Sequence, residues 1–159
     1  MDLNWVVLSL LLPMLVAVVP AVGFAVLFNV PIRFLKYCGI AGAMGYGTRI
    51  IAMQLLDFPI EIASLAAASV VGCLAMYWSR KFLAPVQVFA VAAVIPMIPG
   101  KFAFGAMVGL MEMNLHNHFD PALMTDVLRL GLKTVFILMC LALGIAAPRL
   151  LFYRAKPVV

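Results

Sequence analysis

An all-α polytopic membrane protein is the fold class this sequence predicts, and three observations predict it. Of its 159 residues, 67% are apolar and only 11% are charged, against roughly 25% charged in ordinary soluble domains. Long uncharged runs recur along the chain, beginning with Leu3 to Phe28, and about 20 apolar residues suffice to cross ~30 Å of hydrocarbon as a helix. Lysines and arginines gather at the ends of those runs. Eleven basic and six acidic side chains cannot cover a soluble core. A soluble enzyme, a disordered chain and a secreted disulfide scaffold are therefore excluded, and residues 1–159 read as a single integral-membrane domain.

The elements follow in order. The first span covers about 3–28 and holds Pro13 and Pro20, seven residues apart and so on nearly one face, which predicts a kinked helix packed on protein. Asn29-Val30-Pro31 ends it, and Arg33 and Lys36 follow. The second span, 39–56, is rich in glycine and carries Arg49 well inside. Asp57-Phe58-Pro59 is a short turn, with Glu61 in the first turn of the next helix, where a carboxylate suits the dipole. The third span, 62–78, repeats small residues at Ser64, Ala68 and Gly72, a stripe that lets another helix approach closely. The run 82–111 is too long for one straight crossing. It is broken at 96–100 by Pro96, Pro99 and Gly100, with Lys101 just beyond, so two half-helices are expected. Glu112 to Asp126 reads as a polar loop, with Pro121 or Asp126 as alternative starts of the last helix, and 129–152 is the fifth span.

Orientation comes from the basic residues. Five spans put Arg33, Lys36, Arg80, Lys81, Arg149, Arg154 and Lys156 on one side, which should be the cytoplasm. The N-terminus is then outside and the C-terminus inside. Trp5 suits the outer interface; Tyr37, Trp78 and Tyr153 suit the inner one. The same rule accounts for the net charge of +5 without nucleic acid as a partner. No cleavable signal peptide is expected, since Met1-Asp2-Leu3-Asn4 lacks a basic start. Cys38, Cys73 and Cys140 lie far apart and read as small packing residues. No cofactor and no metal is expected. His116-Asn117-His118 with Asp120 has a conceivable ligand spacing, but an exposed loop explains it more simply. No Ser-His-Asp set, HExxH or phosphate loop is present, so no enzyme is expected.

Three stretches make the reading specific: Pro20 to Arg33 (PAVGFAVLFNVPIR), Gly42 to Arg49 (GAMGYGTR), and Trp78 to Pro85 continued by Val88 to Gly100 (VFAVAAVIPMIPG). Together they resemble the threonine/serine exporter family, in order and over nearly the whole chain. The likeness is strongest to its short integral-membrane subunit, the YjjB type. The resemblance implies a bacterial inner-membrane exporter that needs a longer YjjP-type partner subunit. It further implies export of succinate or a related C4-dicarboxylate for the split pair, and of threonine or serine for single-chain relatives. A homo-oligomer is the alternative assembly, and a scaffold that only stabilises a transporting partner is the alternative role. An odd number of spans would also invert a second, similar unit joined to it, the inverted-repeat plan of many secondary transporters. That plan makes this chain one half.

Candidate substrate-binding residues are Arg49, Pro96, Pro99, Gly100 and Lys101. A guanidinium at membrane depth costs at least ~2.5–3.5 kcal/mol on insertion scales, and it is a planar, bidentate carboxylate ligand. Its structural alternatives are an ion pair with the partner or snorkelling to the nearer interface. The half-helix after the break would begin with free N–H groups and a positive dipole end, with Lys101 in its first turn, favouring a dianion. The alternative there is a plain proline kink. Arg129 and Lys133, one turn apart, form either an anion vestibule or an interfacial anchor.

Overall fold

The computed structural model describes residues 3–116 and 121–152. Its elements are α1 (Leu3–Leu27), α2 (Ile32–Leu55), α3 (Ile60–Phe82), α4 (Val86–Val94), a 3-10 turn (Ile95–Met97), α5 (Gly100–His116) and α6 (Pro121–Phe152). No strand occurs among the described residues. Asp2, Asn117, His118, Asp120, Tyr153, Arg154 and Lys156 lie outside them, as do the side chains of Trp5 and His116.

Three helices, α1, α3 and α6, are long and apolar enough to cross a membrane, and the pair formed by α4 and α5 adds a fourth, broken candidate. At 24 residues, α2 is about 36 Å long, which suffices in length. Arg33, Lys36, Arg49 and its glycines keep it below the apolarity of the others. It begins just after Pro31, so Arg33 and Lys36 sit on its first turns and not in a connector. The expected loop from Glu112 to Asp126 is mostly helix: α5 continues to His116, and α6 starts at Pro121. Proline suits a first helical position because its φ is already helical and its missing N–H is not needed there.

One connector design occurs three times. Asn29, Asp57 and Leu83 take positive φ values of 58°, 49° and 52°. Each is followed by one residue and then by a proline that opens the next helix: Pro31, Pro59 and Pro85. After α1 the bonding is that of a Schellman cap: Val30 donates to Ala25 O at 3.0 Å and Asn29 to Val26 O at 2.9 Å. After α3, Leu83 and Ala84 both donate to Ser79 O, and the Ser79 hydroxyl donates to Ala84 O at 2.5 Å. The left-handed residue closes one helix and proline's fixed φ starts the next.

The described chain falls into two compact units, Met1–Met97 with Cys140–Val159, and Ile98–Met139. In the first unit the interior is built from small residues. Ala17, Ala21 and Ala25 lie on one face of α1 and are buried. A Cβ placed on Gly42 of α2 would stand 2.6 Å from Ala21 Cβ. One placed on Gly45 would stand 2.5 Å from Val71 of α3 and 3.0 Å from Met97 Cε. The α3 stripe meets the last part of α6: a Cβ on Gly72 would lie 2.9 Å from Ile145 O, and one on Gly144 would lie 2.6 Å from Ala68 Cβ. Many large apolar side chains point outward, as with Val19 at 73% exposure, while Phe34, Phe89 and Met97 are buried. That arrangement suits lipid, where close backbone packing rather than burial of leucine holds helices together. In the second unit the same device recurs, with Gly105 against Leu130 and Gly109 against Val127.

Gly144 is the sharpest test of this packing, because a side chain there meets Leu65 O at 2.7 Å and Ser69 N at 3.0 Å, and backbone cannot move aside cheaply. Gly144→Val should lower stability by about 1–3 kcal/mol, read as a lower midpoint of thermal unfolding in detergent. Gly23→Ala, with nothing within 4 Å of the new methyl, should match or slightly exceed the wild type.

Candidate functional site

Arg49 projects from α2 one turn after Gly45, where that helix lies against Met97. Its side chain is partly buried, and Nη1 donates to Met97 O at 2.9 Å. Met97 ends the 3-10 turn. In an unbroken helix the N–H of Lys101 would satisfy that carbonyl, but the chain leaves helical geometry at Ile98 and Pro99. The break thus creates an orphan acceptor of the kind every helix end has, and a charged donor from another helix fills it. Of the five N–H groups a guanidinium offers, one bond is made within the described residues. Neither structural alternative drawn from the sequence, a partner ion pair or snorkelling, anticipated this carbonyl.

Pro96 lines a cleft of about 390 Å³ together with Pro13, Pro20 and Tyr46. The cleft is mostly apolar, and Arg49 is not among its lining residues. Tyr46 stands three residues before Arg49, on the same side of α2. Sequence reasoning passed over it, although the i, i+3 spacing from Arg49 was visible. Pro13 and Pro20 share this cleft; each also removes a donor from within α1, which stays helical through both.

Pro99, Gly100 and Lys101 belong to the second unit. Pro99 is buried, whereas Gly100 and Lys101 are exposed. The expected nest of several free N–H groups is smaller than the sequence suggests. Gly100 donates to Ile98 O at 2.9 Å, and Phe102 and Ala103 both donate to Pro99 O at 3.1 Å. Among the described residues this leaves the Lys101 N–H as the free first-turn donor. Arg129 and Lys133 line a separate cleft of about 360 Å³ with Asp126 and Phe102. The Lys133 ammonium lies 5.0 Å from the centroid of the Phe102 ring, close enough for a cation–π contact. Asp126 puts a negative charge beside the two cations, so this cleft is of mixed sign.

Ser64 is fully buried and its hydroxyl donates to Ile60 O at 2.6 Å. With Ala68 and Gly72 covered by α6, the small-residue stripe is occupied within the chain. Cys38 donates to Val88 O at 3.3 Å, and all three cysteines are free thiols. Among the described residues no group of three His, Cys, Asp or Glu side chains is placed to hold a metal ion.

An arginine bracing an interrupted helix, in a chain with several apolar helices long enough to cross a membrane, defines a class: an integral-membrane protein with a discontinuous helix, the plan on which secondary transporters build substrate sites. The chain belongs to the threonine/serine exporter family, whose model ("Threonine/Serine exporter, ThrE") matches residues 13–151. A relative from Haemophilus influenzae, described only as an uncharacterized protein, is 45% identical over 152 residues, covering 96% of this chain. The chain spans about half the length of that curated relative, 50%. No solved structure matches.

Gly100 separates a backbone role from a space requirement. A Cβ there meets nothing within 4 Å and its φ is not positive, so Gly100→Ala should leave fold and activity near wild type. Gly100→Pro removes the donor to Ile98 O and should increase protease cleavage near 98–101, a limited-proteolysis measurement that needs no substrate.

Proposed function

We propose that this chain is the membrane subunit of a two-component secondary exporter that carries succinate or a related C4-dicarboxylate out of the cell across the bacterial inner membrane. The observation that carries the reading is the bond from Arg49 to the carbonyl at the helix break. It joins a bidentate carboxylate ligand to the kind of unwound segment where secondary transporters bind substrate. Four of its donors are left for a carboxylate. Pro96 and Tyr46 border the approach on this unit; Pro99, Gly100 and Lys101, on the second unit, are proposed separately as an anion-attracting helix start.

In this reading α2 crosses the membrane too, giving five spans. Its cost is eased because Arg49 is partly buried and hydrogen-bonded. Arg33, Lys36 and Lys81 lie over an aromatic cluster where α2 begins and α3 ends, and Arg80 and Arg149 line one cleft. Those five cations share an end of the first unit, which the positive-inside rule assigns to the cytoplasm. The N-terminus is then outside. Function requires further helices, supplied by a longer YjjP-type subunit. The Haemophilus relative, twice the matched length, supports a larger functional unit. The small-residue stripe lends no support to assembly, because α6 fills it.

A second reading, export of threonine or serine, is favoured by the family's description and by the mixed-sign cleft. Asp126 suits an α-ammonium, and Arg129 with Lys133 suits an α-carboxylate. Competition between succinate and threonine, in vesicles holding both subunits, decides between the two.

Arg49→Lys is the most informative variant. Lysine can still donate to Met97 O and keeps the charge, so the fold should survive. It cannot grip a carboxylate with two parallel N–H groups. Apparent affinity for succinate should fall roughly ten- to a hundred-fold, the loss of a charge-assisted pair of about 1.5–3 kcal/mol. Membrane abundance should be unchanged, and Arg129→Gln should be mild. Wild-type transport by Arg49→Lys would make Arg49 a purely structural cap. Loss of transport only in proportion to abundance would favour the scaffold role. Labelling a C-terminal cysteine from outside intact cells would overturn the orientation.

A further inference from the structure

We propose that the end of the first unit formed by α3, α4 and α6 is a binding site for one anionic phospholipid. Two adjoining clefts carry the inference. The outer one, of about 560 Å³, lies where α3 ends and α4 begins and is lined by Arg80, Arg149, Ser79 and Gln87. The inner one, of about 230 Å³, runs along α4 and α6 past Ala90, Val91, Ala142 and Ile145. Val86, Gln87 and Arg149 line both, so the cleft that holds the two arginines adjoins the apolar groove. Among the described residues, neither lining contains an acidic side chain.

This layout matches the two parts of an amphiphile. Two guanidinium groups and an amide suit a phosphate, which arginine binds through its planar fork. Small side chains along the inner groove leave room for an acyl chain. The depth is also right. Trp78 stands next to Ser79, and its ring lies 5.1 Å from that of Tyr37; tryptophan and tyrosine collect at headgroup level. Basic pockets between helix ends at that level are a recognised form of anionic-lipid site. A free dicarboxylate would use the arginines but has nothing to place in the apolar groove. Charge and shape together therefore favour the lipid.

The test uses the purified full-length chain in detergent. Phosphatidylglycerol or phosphatidylcholine is added, and retained lipid is counted by native mass spectrometry. The wild type should retain one phosphatidylglycerol in preference to phosphatidylcholine. Arg149→Gln, at an exposed position, should weaken that retention by roughly five-fold, the effect of one basic residue at a membrane surface. Ala142→Phe, also exposed, should weaken it without any change of charge, by filling the groove. Arg149→Lys should recover most of it. Equal retention of the two lipids overturns the proposal. So does a phosphatidylglycerol preference that survives both Arg149→Gln and Ala142→Phe, since the lipid then sits elsewhere. Displacement of the lipid by millimolar succinate, one for one, would make the cleft a substrate entrance instead. None of these readouts depends on transport, so the proposed export function can fail without affecting them.

Discussion

Close helix packing through glycine and alanine is the constraint on which the rest of this structure depends. Within a bilayer the lipid is as apolar as any leucine, so helices gain little by hiding large side chains from it. They gain by touching closely. Gly42 brings α1 against α2, Gly45 brings α3 and the 3-10 turn against α2, and Gly72 with Gly144 brings α3 against α6. The candidate site follows from this. At Gly45 the side chains of Val71 and Met97 reach the surface of α2, and Arg49, one turn further on, is within 2.9 Å of the Met97 carbonyl. A larger residue at position 45 would first meet Val71 Cγ2 and the terminal methyl of Met97.

The arginine at the break serves two ends that are usually discussed apart. An unpaired carbonyl at membrane depth is costly, and so is an unpaired guanidinium. Joining them reduces both costs with a single charge-assisted hydrogen bond. The same bond sets the direction of the guanidinium, so its remaining donors are held in place before any ligand arrives. Preorganisation of this kind removes part of the ordering cost of binding. The position is therefore structural and, on the proposed reading, suited to an anion at once.

Much of the fold was legible in the sequence because lipid imposes simple length and charge rules. The helical class, the run ends and the break at 96–100 all follow from apolar length and from proline. Other features were not legible, for identifiable reasons. Arg33 and Lys36 read as a loop, yet basic side chains at a helix end reach the interface along their apolar stems, so α2 starts seven residues before Gly39. Glu112 reads as loop because it is polar, yet polar residues are ordinary on a helix that leaves the hydrocarbon. The stripe at Ser64, Ala68 and Gly72 shows that something packs closely; spacing cannot say that the something is α6. Hardest of all was Met97 O. Every residue has a carbonyl, and only the fold reveals which one is left without its N–H.

The recurring connectors set a limit on how this chain can change in length. Each consists of a left-handed residue, one spacer and a proline. None has a spare residue. An insertion between Asn29 and Pro31, Asp57 and Pro59, or Leu83 and Pro85 would part the cap of one helix from the start of the next and rotate the following helix about its axis. A rotation of one residue, about 100°, would carry Gly42 or Gly45 off its contact face. Between α1 and α4, then, length is held as firmly as residue type, and tolerated insertions and deletions belong elsewhere in the chain.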